Sequence, residues 1–138
     1  MDEKIKDLKD ADSATLANEV CKVLLEKKAS GVKMFAVSEV TSITDYYVNA
    51  TARSRSHVLS LADDVVDLIG ERGRQVLRVE GRSGGTWLLC DFGDVIVNIF
   101  DRETRDFYGF DRHLPSECEM DISALVKEVD DKFDINKN

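Results

Sequence analysis

A single proline, one tryptophan and two histidines are spread over 138 residues, and the three cysteines include no Cys-x-x-Cys pair. Each shortage removes a class of protein. Cysteines odd in number and unpaired in spacing argue against zinc and redox motifs, so Cys21, Cys90 and Cys118 read as reduced thiols. Nowhere do about 18 apolar residues run together, and the acidic start "MDEKIKDLKDADS" carries no apolar leader segment. The expectation is a cytoplasmic protein with no membrane partner, although a processed organellar protein would share these features. The chain also has no internal repeat and no low-complexity segment.

Basic clusters are missing as well. Lys plus Arg number 19 against 27 for Asp plus Glu, a formal charge of −8, and the cations are scattered among acids. Such a chain repels phosphate backbones and anionic lipid over about a Debye length. A basic protein partner is favoured, and no direct contact with nucleic acid is expected.

The residues that remain are those of an ordinary globular domain. Apolar residues make up 43% and charged residues 33%, far from the regime of disorder. One domain of this length buries roughly 68% of the surface its unfolded chain exposes.

Residues 1 to 12 alternate charges around Ile5 and Leu8 and read as a lead-in that frays or forms a short helical segment. From Ser13, a plausible N-cap, Leu16, Val20, Val23, Leu24 and Lys27 recur at helical spacing until Gly31. "VKMFAVSEV" (32 to 40) and "TDYYVNAT" (44 to 51) read as two strands. A second helix follows, capped by Ser54 or Ser56, with Val58, Leu61, Ala62, Val65, Val66 and Ile69 on one stripe. "RQVLRVEG", "TWLLCD" and "VIVNIF" supply three more strands, and "DRETRDFYGFDRHLP" leads irregularly away from the sheet. After Pro115, Asp121 can cap a last helix bearing Ile122, Leu125, Val126, Val129 and Phe133. The expected fold is α/β, with a five-stranded mixed sheet in the order α-β-β-α-β-β-β-α. Its parts are a lead-in (1–12), an α/β domain (13–114) and a C-terminal helical extension (115–138).

The stretch "GGTWLLCDFGDVIVNIF" (84 to 100) holds the candidate site. With residues 92 to 94 as its loop, alternation puts Trp87, Leu89, Asp91, Val95, Val97 and Ile99 on one face and Leu88, Cys90, Ile96, Asn98 and Phe100 on the other. Neither face is polar, so both need covering. Two helices cover one side, leaving the other to the last helix, a second copy of the chain or a different protein.

Catalytic readings fare poorly. Two-carboxylate nucleotidyl transfer needs a Gly-Ser turn opening a helix and an acid pair at i and i+2 on a strand. Asp91 and Asp94 are three apart across a turn, and Gly84-Gly85 precedes a strand. "DFG" lacks the other kinase motifs, and "GRSGG" lacks the lysine and helix of a phosphate loop. His57, in a helix's first turn, reads as exposed, and Asp45 reads as a hydrogen-bonding residue at the start of a strand. The rival reading is a metal-dependent nucleotidyl or phosphoryl transferase using Asp45, Asp91 or Asp94 with magnesium.

"SITDYYVNATARSRSHVLSLADDV" and "VEGRSGGTWLLCDFGDVIVNIFDRETRDFYGFDR" together resemble the Iojap family, the ribosomal silencing factors. The resemblance runs in order from about Ser13 to Leu114. Its most specific parts are Thr44-Asp45-Tyr46, Ser54 to Val58, Glu80-Gly81, Trp87, Asp91-x-Gly93-Asp94 and Arg105-x-x-Tyr108. It implies a nucleotidyltransferase-like fold that has lost its catalytic acids, no cofactor and no catalysis. It implies binding to the large ribosomal subunit through its fourteenth protein, a block on subunit joining when nutrients run low, and often a homodimer. Carried over, Trp87, Leu89, Val97 and Phe100 take an apolar docking role and Asp91, Asp94 and Glu80 a charge-matching one, with Arg105 and Tyr108 also in the site. Asn98 stands where the family usually has histidine. Ala50 to Ser54 lack the family's glycine before the second helix, and Phe110 to Leu114 lack its tryptophan.

Overall fold

The computed structural model describes residues 7–137. Leu8, from the lead-in, is fully buried, and its N–H donates to the Arg72 carbonyl at 2.6 Å, so this part of the segment is pinned to the domain. Ile5 lies outside the described residues.

Helix α1 (Ser13–Glu26) is capped by Asp12, whose carboxylate accepts from Thr15 N–H at 2.8 Å, one residue before the expected cap. It ends well short of Gly31, because Lys28 already takes a positive φ of 73°. Helix α2 (Arg55–Glu71) is capped by Ser54, which accepts from His57 N–H. Strands β1 (Ser30–Ala36), β2 (Tyr46–Ala52), β3 (Arg78–Glu80), β4 (Trp87–Asp91) and β5 (Val95–Asp101) form one sheet in the order β1-β2-β5-β4-β3. The β2–β5 pair is parallel and the others antiparallel, so the sheet is mixed as expected.

Residues read as irregular after β5 contain a further helix, α3 (Arg102–Tyr108). It is short and carries no apolar stripe, which hid it from periodicity. Its ends are nonetheless marked: Asp101 accepts from Thr104 N–H at 2.8 Å, and Gly109 closes it at φ 59° in the left-handed region. Turns of 3₁₀ helix follow at Phe110–His113 and Ser116–Cys118. Residues 119 and 120 then run beside β1, where Phe35 bridges Glu119 and Met120 N–H donates to the Met34 carbonyl at 2.8 Å. That contact protects an otherwise bare sheet edge.

The last helix, α4 (Ser123–Lys137), does not seal the open side of the sheet. It packs on α1, through buried Val129 and the ion pairs Lys22–Glu128 and Lys132–Glu26, both 2.9 Å.

The hairpin register corrects the expected faces. Asp91 pairs with Ile96 and Trp87 with Phe100, so only Gly93 and Asp94 lie at the tip between Phe92 and Val95. Gly93 supplies the positive φ, 94°, that such a tight link needs. A loop one residue shorter turns every β5 side chain over relative to β4. Leu88, Cys90, Val97 and Ile99 therefore share one face, with Val48, Ala50 and Met34, buried beneath α1 and α2 in the main core. Trp87, Leu89, Asp91, Ile96, Asn98 and Phe100 share the other, with Tyr47, Asn49 and Thr51 of β2.

Candidate functional site

The second face is covered by α3 and the chain after it, and only in part. Phe110 sits edge-on to Tyr47, with ring centroids 5.1 Å apart, and lies 6.3 Å from Phe100. Trp87 lies between Phe100 and Tyr108, with ring centroids 4.9 and 5.1 Å away and the planes tilted by 36° and 52°. The cover stops there. Leu89 and Asp91 on β4 stay half-buried, Glu80 on β3 is exposed, and α3 presents Phe107 and Tyr108 at 78% and 52% exposure.

Under the cover runs a continuous chain of polar side chains. Trp87 Nε1–H donates to Asn98 Oδ1 at 3.0 Å, Asn98 Nδ2 to Asn49 Oδ1 at 3.0 Å, and Asn49 Nδ2 to Asp111 Oδ1 at 2.7 Å. Arg105 grips the other oxygen of Asp111 through Nε and Nη2, at 2.9 and 2.7 Å. Its Nη1 reaches Thr51 Oγ1 and the Gly31 carbonyl, both at 2.8 Å. Asn49 and Asn98 face each other across the β2–β5 pair and are wholly buried. Two amides in mid-strand would be costly alone; bonded end to end they fix the position of the cover. Among the described residues no buried side-chain nitrogen or oxygen lacks a partner.

These positions redistribute the expected docking set. Val97 is fully buried under the helices because of the register, and Phe100 and Asn98 are fully buried under Trp87, Phe110 and the polar chain. None of the three has surface to offer a partner, and Arg105 is spent holding Asp111 and Thr51. Trp87, Leu89, Tyr108, Asp91, Asp94 and Glu80 keep accessible parts. Sequence reasoning missed Asn49, Asp111 and Phe107. The signal for Asn49 was a bare amide inside a strand of otherwise apolar and β-branched residues.

The hairpin carboxylates are held individually. Asp91 accepts from Gly93 N–H at 2.8 Å and pairs with Arg78 at 3.2 Å, while Asp94 pairs with Arg74. No group of three or more His, Cys, Asp or Glu among the described residues is placed to hold a metal ion. His57 is buried instead of exposed: Nδ1 accepts the Arg53 N–H at 3.0 Å, so Nε2–H donates to the Lys27 carbonyl at 3.1 Å. The ring ties the start of α2 to the end of α1. Burial pushes the Cys21 and Cys90 thiols up to about 12, which leaves them unreactive at neutral pH.

A cleft lies away from this face, between α1, α2 and α4, with a volume of about 380 Å³. Most of its charges are paired: Glu19 bonds Arg72 at 2.8 Å and Lys22 at 3.0 Å. Burial pushes the Glu19 carboxyl up, but those two cations outweigh it and hold the group below its ordinary range.

An α/β domain with an aromatic, acid-rimmed sheet face, half covered by its own chain, is the class that fold and site define. The chain belongs to the ribosomal silencing factor family, also known as Iojap: residues 10–137 match the family described as "Ribosomal silencing factor during starvation". It is similar to the ribosomal silencing factor of Zymomonas mobilis, with 31% identity over 83% of this chain and 88% of that one. It is 24% identical, over 65% of its length and 41% of the relative's, to a mouse protein named for mitochondrial assembly of the ribosomal large subunit. Its fold matches the crystal structure of a Chromobacterium violaceum protein at a TM-score of 0.72, with 27% identity over 76% of this chain and 91% of the other.

Proposed function

We propose that this chain binds the large ribosomal subunit through that subunit's fourteenth protein and, by its bulk, keeps the small subunit from joining, damping translation in the cytoplasm when nutrients are limiting. Occlusion requires no turnover, so the reading includes no catalysis and no cofactor. The half-covered aromatic face at Trp87 and Tyr108, in a member of the silencing-factor family, is the observation that carries it. Trp87, Leu89, Phe107 and Tyr108 supply the apolar centre, and Glu80, Asp91 and Asp94, set against only Arg74 and Arg78, leave a rim of net negative charge suited to a basic ribosomal protein. Asn98, Asn49, Asp111, Arg105 and Phe100 hold that surface in shape from beneath. The name of the mouse relative supports the same subunit as target. A homodimer of the chain is part of the same proposal.

Sedimentation of purified subunits with and without the protein tests the reading. At saturating protein the joined ribosome peak should fall, and Trp87→Ala with Asp91→Lys should restore it, the variant's folding being checked by thermal melting. Unaltered joining with the unmodified protein would contradict the proposal.

A further inference from the structure

We infer that the end of the sheet where β2 and β5 finish is a second contact, one that takes RNA phosphates; this rests on the large subunit being the target. Ala52 and Asp101 lie side by side in the parallel register, so Arg53 and Arg102 leave the sheet together. From the first turn of α2, Arg55 lies over the turn at 81–85, its Nε 3.2 Å from where a Cβ on Gly85 would sit. Arg82 stands on that turn, and His57 brings Lys27 to the same end.

The acids nearby are largely occupied. Arg82 is bonded to Asp63 at 3.1 Å, Lys132 to Glu26 at 2.9 Å, and Asp101 caps α3. Glu103 and Asp106 are the exposed acids of α3, two against the three arginines. Arg53, Arg55 and Arg102 are exposed and have no ion-pair partner among the described residues. Cations scattered along the sequence are thus gathered by the fold, on a chain whose net charge is −8.

A basic protein would be repelled here, whereas planar guanidinium groups match phosphate oxygens in pairs. The position suits a joint contact. Trp87 pairs with Phe100, one residue before Asp101, and α3 runs from Arg102 to Tyr108. The aromatic face can therefore meet ribosomal protein while the arginine end meets the RNA beside it.

The test compares Arg53→Gln/Arg55→Gln/Arg102→Gln and the matching triple lysine variant with the unmodified chain, by affinity for purified large subunits across a salt series and for the isolated fourteenth protein. The glutamine variant should bind subunits about tenfold more weakly at low salt, with its log-affinity slope against log salt flatter by about 2. Lysine should recover most of the slope, and affinity for the isolated protein should stay within about twofold for all three. An unchanged slope, or an equal loss on the isolated protein, would overturn the inference. If the unmodified chain bound neither, the reading beneath it would fail instead.

Discussion

The two faces of the sheet are made by the same five strands but held by different physics. Under α1 and α2 the contacts are Leu88, Cys90, Val97, Ile99, Val48 and Ala50, all fully buried and without directional demands. Under α3 and its continuation they are two amides, a carboxylate, a guanidinium and tilted or edge-on rings, each in one orientation. An apolar face fixes that the sheet is covered; a hydrogen-bonded one fixes where each covering atom lies. The second kind suits a surface that must present Trp87 and Tyr108 in one geometry, since a preformed interface loses less entropy on binding.

The largest effect should come from the apolar face. Leu88→Ala removes a fully buried side chain and should cost about 3 kcal/mol in denaturant unfolding, with unchanged subunit affinity in the fraction that remains folded. Asn98→Ala strands the Trp87 N–H and the Asn49 carbonyl oxygen; about 2 kcal/mol of stability should go, and subunit affinity should fall as well, because the docking surface loses its support. That joint loss separates the two faces. Phe107→Ala/Tyr108→Ala should do the reverse of Leu88→Ala: little change in melting temperature and about tenfold weaker subunit binding.

A smaller effect sharpens the contrast through pH. The folded Cys90 thiol keeps its proton to about 12, while the unfolded thiol ionises near 9.0. The stability it contributes is complete below pH 9.0 and is lost as pH rises toward 12, at about 1 kcal/mol per unit. Urea melts at pH 8 and pH 10 should show the fall, and Cys90→Ala should remove about half of it, because the buried Cys21 thiol is raised in the same way.

How far the chain could be read from its residues also divides by face. Periodicity found α1 and α2 and the apolar strand set because burial without direction leaves a regular trace. The order of elements and the mixed sheet were legible for the same reason. The hairpin faces were not: whether Phe92 belongs to the loop or to its flank decides the orientation of β5, and composition at Phe92-Gly93-Asp94 allows both. Nor was the polar chain, since nothing in the spacing of Asn49, Asn98, Arg105 and Asp111 shows that four elements bring them together. Helix α3 left only its caps, Asp101 and Gly109, as a trace.

The central claim is which face meets the large subunit. Hydrogen–deuterium exchange of the chain, free and bound to purified large subunits, reads that face residue by residue. Protection should appear in residues 86–91 and 102–110, with the exposed sides of α1 and α4 unchanged. Protection confined to α1 and α4, with 102–110 exchanging as in the free chain, would contradict it.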